Sequence, residues 1–148
     1  MLSLRKVNSN DVELIFHWAN DPDVRNNSFN TNEKVWDEHV KWFHKKIQTD
    51  SIWFILEKED KPVGVIRFDK GDNSYILNYS IAKEFRGFGY GKKIVELGIE
   101  DLQLQKKGIN AIEAHVKKNN TASQKIFNSL GFEKSFLDDE YIFKKVFR

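Results

Sequence analysis

The sequence predicts a single α/β (α+β) domain, because segments with strand and helix patterns alternate along the chain. Their order is a strand, two helices, three strands, a helix, a strand, a helix and two strands. The composition supports one core, since 40% of the 148 residues are hydrophobic and these include 12 Phe and 4 Trp. With only two prolines and no Gly/Ser-rich linker, the chain is expected to be one domain over residues 1–148.

The first part of the chain predicts one strand and two helices. Alternating apolar residues favour a strand near 2–7, and residues 10–13 resemble a capping box that opens a helix ended by residues 20–23. A polar loop containing residues 25–27 follows. The second helix is amphipathic, with apolar positions at spacings of four, three and four: Trp36, Val40, Phe43 and Ile47.

The middle of the chain predicts three strands in succession. Two apolar runs, 52–57 and 63–68, are separated by residues 59–62, which have hairpin-turn chemistry. A third strand is expected at about 74–82 and leads into a glycine-rich junction.

The last part predicts a helix, a strand, a helix and two strands. The helix after the junction stops near Gly108, and a short strand covers 111–116. A helix opening near residues 119–121 ends with Gly131 as its C′ residue. The terminal strands are expected at about 132–137 and 140–146.

The glycine-rich junction is typical of an anion-binding loop. Glycine permits positive φ, so successive N–H groups can converge on one anion, and the next helix adds its positive N-terminal dipole. Lys92 stands where a dinucleotide fingerprint needs a third small residue, and Lys93 stands where a P-loop needs Ser or Thr. The remaining pattern is Arg-x-x-Gly-x-Gly, formed by Arg86, Gly89 and Gly91. Its expected guest is a pyrophosphate, although a turn that only caps the helix stays open.

Charge and cysteine content exclude several classes of function. The 24 basic and 22 acidic residues are interspersed, so we expect neither nucleic acid nor a membrane as partner. The sequence contains no cysteine, which excludes disulfides, thiolate metal sites and a cysteinyl acyl-enzyme, and no metal site is predicted. The amino terminus lacks the apolar region of a signal peptide, and a cytoplasmic location is the expectation.

Two motifs together resemble the GNAT acetyltransferase superfamily. The first is the Arg86 to Gly91 junction, and the second runs from Asn120 through Ala122 to the Leu-Gly-Phe sequence that ends at Phe132. The resemblance implies a mixed sheet of about seven strands flanked by about four helices and splayed between strands 4 and 5. It also implies an N-acetyltransferase that uses acetyl-CoA and moves the acetyl group directly to an amine.

The resemblance assigns residues to acetyl-CoA. Backbone groups around Tyr79 and Ile81 would hold pantetheine like an added strand, and a bulge there would splay the sheet. The Asn120 side chain would contact the pantetheine arm, or it is simply the N-cap of its helix. The expected pyrophosphate contacts are the backbone amides of Arg86, Gly87, Phe88, Gly89, Tyr90, Gly91 and Lys92.

Acyl transfer to an amine needs a neutral amine, a stabilised oxyanion and a protonated thiolate. The family-implied oxyanion donor is a backbone N–H near Ile81. Many members have a tyrosine as general acid where this chain has Phe127. The candidates that remain for protonating the thiolate are Tyr90, Tyr141, Ser123 and solvent. His115 and Glu113 lie on one face of their strand and are the candidate bases. A hydrogen-bonded structural histidine and a water relay are the alternatives.

The segment from Trp18 to Phe43 resembles a GNAT subgroup that acetylates the 4-amino group of nucleotide-linked deoxy-amino sugars on pseudaminic-acid-type routes. The partner implied is a small-molecule amine, and the chain is expected to be a monomer or homodimer. The alternatives are a protein N-terminal α-amine acetyltransferase and a non-catalytic acyl-CoA-binding module. The candidate acceptor contacts, each of which could instead be structural, are Arg25, Asn27, His39, Trp42 and Arg67.

Overall fold

A computed structural model describes residues 1–106 and 108–147, and its centre is one mixed sheet of seven strands. The strands are β1 (Leu2–Lys6), β2 (Ile52–Lys58), β3 (Lys61–Lys70), β4 (Tyr75–Ile81), β5 (Ala111–Lys117), β6 (Glu133–Leu137) and β7 (Glu140–Val146). They lie in the order β1-β2-β3-β4-β5-β7-β6, and only β4 and β5 pair in parallel. The predicted mixed seven-stranded sheet is therefore confirmed.

Five α-helices flank the sheet in the described part of the chain, one more than predicted. They are α1 (Val12–Ala19), α2 (Pro22–Asn27), α3 (Trp36–Ile47), α4 (Tyr90–Gln105) and α5 (Thr121–Ser129). The additional helix is α2, where the sequence analysis expected a polar loop. The Asp21 side chain accepts the Asp23 N–H at 2.9 Å, and Pro22 occupies the first turn. These two features favour the start of a helix even though the segment has no apolar stripe.

The predicted capping box at residues 10–13 was wrong by a few positions. The box lies at Asn8 and Asp11, which open a short 3₁₀ turn, and α1 begins only at Val12. Asp11 accepts the Asn8 N–H at 2.9 Å and is also bound by Arg5 of β1 at 2.8 Å. Asp11 is thus fixed by the cap and by β1 together, which the local pattern did not reveal.

The two faces of the sheet carry separate cores. On one face, α4 and α5 cover the larger core, which includes the fully buried Phe68, Ile94 and Phe127. On the other face, α1 and α3 pack over β2 through Ile15, Phe43 and the strand residues that contact them. Both faces of the central strands are therefore buried, which agrees with the continuous apolar run in β2.

Strands β4 and β5 part soon after they meet. Their pairing covers only Tyr75 with Ile112 and Ile76 with Glu113, so the predicted splay is confirmed. The predicted bulge in β4 was wrong, because the β3–β4 register runs unbroken from Lys70 opposite Tyr75 to Gly64 opposite Ile81. Neighbouring strands are rotated by the sheet twist, so two strands with so short a ladder can diverge without an inserted residue.

Candidate active site

The divergence of β4 and β5 opens a cavity of about 660 Å³ that passes between the two strands. We call it the slot cavity. Its walls are β4 residues 77–81, β5 residues 114–116, the glycine loop, one side of α5 between residues 122 and 127, and α2 with the residues after it. The predicted acetyl-CoA residues Tyr79, Ile81 and Asn120 lie here. From the loop it includes Arg86, Gly87, Gly89, Tyr90, Gly91 and Lys92, whereas Phe88 does not line it.

The glycine loop has the geometry of an anion cradle. Gly87 and Gly89 have φ values of +87° and +82°, and Gly89 is the N-cap of α4. A Cβ added to either glycine would meet no protein atom within 4 Å, so the space above the loop is open to a ligand. Free N–H groups at the start of a helix favour phosphate, and the loop therefore fits the pyrophosphate of acetyl-CoA.

Gly91 has a different role from the other two glycines. A Cβ there would lie 2.9 Å from Ile126 Cδ1 on α5 and 3.5 Å from the Tyr79 ring on β4. The residue lets α4 approach both elements closely. Gly91 therefore serves packing rather than backbone freedom.

The guanidinium of Arg86 is engaged by the protein. Its Nε donates to the Ile81 carbonyl at 3.0 Å, and its two terminal nitrogens pair with Asp23 at 3.0 Å and Asp21 at 3.2 Å. On the other side of the slot cavity, Lys117 donates to the Asn26 carbonyl at 3.1 Å. Helix α2 is therefore tied to the end of β4 and to the end of β5.

Asn120 is the N-cap of α5, as one of its two predicted roles required. Its Oδ1 accepts the Ser123 N–H at 3.2 Å. The same side chain lines the slot cavity, so a contact with pantetheine is compatible with the cap and stays a prediction.

A second cavity, of about 700 Å³, lies on the α1 and α3 side of the sheet and is called the front cavity. It is lined by α1, α3, the residues between α2 and α3, and parts of β2, β3 and β4. The two cavities share Val24 and Ser28 near α2 and the β4 residues Asn78, Tyr79 and Ser80. They meet along β4, which places a ligand in one cavity next to a ligand in the other.

The front cavity brings together three of the predicted acceptor residues, His39, Trp42 and Arg67. The guanidinium carbon of Arg67 lies 5.2 Å from the Trp42 ring centroid and 5.5 Å from that of Trp53. Such cation–π contacts hold the guanidinium, and the Trp42 residue remains 40% exposed.

Asp69, two residues further along β3, holds the guanidinium of Arg67 in place. The Arg67 Nε donates to both Asp69 carboxylate oxygens, at 3.0 and 3.2 Å. Lys46 pairs with the same carboxylate at 3.2 Å, and Ser51 Oγ donates to it at 2.6 Å. Burial tends to raise the pKa of Asp69, but the contacts with Arg67, Ser51 and Lys46 outweigh it and hold the pKa below its usual range.

His39 is nearly buried, at 5% exposure, although it lines the front cavity. Its Nε2 lies 3.0 Å from the Val12 carbonyl oxygen, and the rings of Phe16, Trp42 and Phe43 surround it. Burial lowers the pKa of His39, so the neutral ring donates from Nε2 and its Nδ1 is an acceptor.

The other two predicted acceptor residues lie elsewhere. Asn27 lines the slot cavity and not the front cavity. Arg25 lines neither, and its buried Nε has no hydrogen-bond partner among the described residues.

His115 and Glu113 share one face of β5, as predicted, but only His115 lines the slot cavity. His115 Nδ1 is 2.7 Å from Glu140 Oε1, and Nε2 is 3.7 Å from Glu113 Oε2. Glu140 was missed by the sequence analysis. Since β7 pairs antiparallel with β5 and places Ile142 opposite His115, Glu140 is a diagonal neighbour that only the register could reveal.

Of the candidate acids, Tyr90 and Ser123 line the slot cavity, whereas Tyr141 lines neither cavity. Phe127, at the position where many family members have a tyrosine, is 1% exposed and packs against other aromatic rings. Tyr90 belongs to the loop and stacks with Phe88 at 5.9 Å between centroids. Ser123 lies in the slot cavity, and its Oγ is 2.7 Å from the Tyr79 hydroxyl. The Tyr79 side chain was not singled out from the sequence, which predicted only its backbone role.

In the part of the chain that the structure describes, no helix is both long and apolar enough to cross a bilayer. Within residues 1–106 and 108–147, no group of three or more His, Cys, Asp or Glu side chains has the arrangement of a metal site.

Known proteins resemble this chain in sequence and fold. The acetyltransferase PseH of Campylobacter jejuni is 28% identical over 132 residues, which cover 86% of this chain and 80% of that protein. The [ribosomal protein bS18]-alanine N-acetyltransferase of Haemophilus ducreyi is 31% identical over 70 residues, or 47% of each chain. The spermidine N-acetyltransferase of Vibrio cholerae, solved with CoA and spermine, has a TM-score of 0.86 at 19% identity and covers 98% of this chain and 95% of its own.

That TM-score shows that the two proteins share one fold. The family described as the acetyltransferase (GNAT) domain matches residues 1–133. The chain belongs to the GNAT acetyltransferase family and is an N-acetyltransferase.

Proposed function

We propose that the protein transfers an acetyl group from acetyl-CoA to the 4-amino group of a nucleotide-linked deoxy-amino sugar. The observation that carries the proposal is the meeting of two cavities along β4, one beside an anion cradle and one lined by aromatic and cationic side chains. The donor would occupy the slot cavity, and the acceptor would occupy the front cavity.

The size and chemistry of the front cavity support a small, polar acceptor. About 700 Å³ falls within the ~300–1,000 Å³ usual for small-molecule sites. The partly exposed Trp42 suits contact with a sugar or base ring, and Arg67, held by Asp69, suits a phosphate or hydroxyl. The resemblance of the segment from Trp18 to Phe43 to the amino-sugar subgroup, and the similarity to PseH, favour the nucleotide-linked sugar.

In this proposal the chain aligns the reactants and stabilises the transition state. Amides of the glycine loop bind the donor pyrophosphate, and the Ile81 N–H stabilises the oxyanion. Arg86 donates to the Ile81 carbonyl, which lies in the peptide unit next to the one that carries this N–H, and so helps to hold Ile81 in place. His115 accepts the proton of the amine, directly or through water, with Glu140 orienting its ring.

An assay of thiol release tests the function. We expect acetyl-CoA-dependent release with a nucleotide-linked 4-amino sugar and not with the same sugar lacking the amine. His115→Gln should lower turnover by about 10²-fold and leave acetyl-CoA affinity unchanged if His115 is the base. Release with spermidine only would change the acceptor class to polyamines. Acetyl-CoA binding without thiol release for any amine tested would favour a non-catalytic acyl-CoA-binding module.

A second acceptor is favoured by one specific observation. The 31% identity over 70 residues to the bS18-alanine N-acetyltransferase points to a protein N-terminal amine. The amine panel therefore includes a peptide with a free N-terminal alanine. Release with that peptide alone would move the assignment to protein N-terminal acetylation.

A further inference from the structure

The hydroxyl groups of Tyr79 and Ser123 form a pair that the acceptor proposal does not use. Tyr79 is on β4 and Ser123 is on the first turn of α5, and their oxygens are 2.7 Å apart. The pair therefore connects β4 to α5, and both residues line the slot cavity.

The position of Tyr79 is informative because it lines both cavities. Only three β4 residues, Asn78, Tyr79 and Ser80, do so. A thioester that reaches from the slot cavity to an amine in the front cavity must have its reacting carbon near this stretch. Of the three side chains, only Tyr79 carries a phenol, a group that can donate a proton to a thiolate.

The surroundings hold Tyr79 in one position. Its ring packs edge-on to Phe127, with 6.1 Å between centroids. On another side the ring lies next to Gly91, where α4 comes close to β4. Phe127 itself is fully buried and offers no hydroxyl. The aromatic cluster thus leaves the phenol of Tyr79, not α5 position 127, as the acidic group at the junction of the cavities.

We propose that Tyr79 is the general acid that protonates the leaving thiolate of CoA, with Ser123 as its hydrogen-bond partner. The amine nitrogen bonds to the acetyl carbon, the C–S bond breaks, and its electron pair stays on sulfur. The phenol proton passes to that sulfur, and the phenolate recovers a proton from the Ser123 hydroxyl, which solvent restores. The proton lost by the amine goes to His115 or water, so the products are the acetamide and CoA thiol.

The electrostatic setting agrees with an acid. Burial raises the pKa of Tyr79, so the phenol stays protonated through the neutral range. The other ionisable side chains that line the same cavity are Asp23, Arg86, Tyr90, Lys92 and His115.

Tyr79→Phe tests the proposal, with Tyr141→Phe as the matched control because Tyr141 lines neither cavity. We expect Tyr79→Phe to lower kcat by about 10²-fold, to leave the KM for acetyl-CoA unchanged, and to remove the fall of the rate at high pH. Ser123→Ala should lower kcat less, since the phenol remains. Thermal unfolding of each variant identifies any loss that comes from stability.

A second measurement needs no acceptor and so separates this inference from the proposed function. The inference rests on that function only for the donor, acetyl-CoA. When CoA is bound, its thiol is titrated by thiolate absorbance, and Tyr79→Phe should raise the pKa of that thiol because the thiolate loses a donor. An unchanged thiol pKa together with a wild-type kcat and pH profile would overturn the proposal and leave the pair as a structural bridge between β4 and α5.

Discussion

At the scale of single residues, the site is built from side chains that have partners far away in sequence. Asn120 and the glycine positions could be predicted, because caps and positive φ depend on local chemistry. The partner of His115 and the side chain of Tyr79 could not, since both depend on which strand or helix lies alongside. Arg86 illustrates the same limit: its motif suggested a phosphate site, and its guanidinium binds two aspartates.

The open space above Gly89 gives a prediction with a close control. Gly89→Ala and Gly108→Ala both place a side chain at positive φ, +82° and +83°, and neither Cβ would meet a protein atom. Each should therefore cost about 1–2 kcal/mol of stability through backbone strain. Only Gly89→Ala should weaken acetyl-CoA binding in calorimetry. Equal affinity in the two variants would place the pyrophosphate elsewhere.

At the scale of elements, the predicted strands lie close to the observed ones, and the errors have identifiable causes. Strand β3 begins at Lys61 rather than near residue 63, because Glu59 and Asp60 adopt positive φ and form a two-residue hairpin turn. Helix α2 was missed because none of its six residues is fully buried, so apolar periodicity could not reveal it. Helix α2 is held by the ion pairs of Asp21 and Asp23 with Arg86 and by the hydrogen bond from Lys117 to the Asn26 carbonyl.

Removing the negative charges of Asp21 and Asp23 should make local opening of α2 more frequent. In Asp21→Asn/Asp23→Asn the N-cap oxygen is kept and both ion pairs with Arg86 are lost. Such partly exposed pairs contribute about 0.2–1 kcal/mol each, so global stability should change little. We expect faster hydrogen exchange over Pro22–Asn27 and a higher KM for acetyl-CoA. Asp72→Asn, in the turn before β4, is the control, and equal exchange in both proteins would contradict the role of these ion pairs.

At the scale of the whole molecule, the fold was predictable mainly through its two motifs. Strands β6 and β7 form a local hairpin, but the pairing of β5 with β7 joins segments that are distant in sequence, and single-chain patterns do not encode it. The splay was implied by the family resemblance, but the bulge expected to cause it is absent from the β3–β4 ladder. The charged contacts of Asp11 with Arg5 on β1 and of Asp69 with Lys46 on α3 also depend on the assembled sheet.

The lowered pKa values of His39, Asp11 and Asp69 predict that the free energy of unfolding decreases in two stages as the pH falls. His39 has a lowered pKa in the folded protein because of its burial, so its stabilising share is present above about 6.5 and is lost as pH falls. For Asp11 and Asp69, burial raises the pKa, but the hydrogen bonds and ion pairs of each carboxylate outweigh it and lower the pKa. Their contribution to stability is therefore lost only below pH about 3.9. Denaturant unfolding against pH should show both stages.

Two variants separate the stages. His39→Gln keeps an N–H donor for Val12 without a titrating ring and should remove the upper stage. Asp69→Asn should reduce the lower stage alone. A single transition in the wild-type protein, unaffected by either change, would show that other groups control its acid stability.

The engagement of Arg86 has a consequence for sequence evolution. Its partners lie 63 and 65 positions upstream, outside the motif by which the loop is recognised. If the arginine anchors α2, then Arg86, Asp21 and Asp23 should vary as a group among relatives, and chains that lose the arginine should also lose the aspartates. An arginine that bound phosphate directly would instead persist whatever stands at positions 21 and 23.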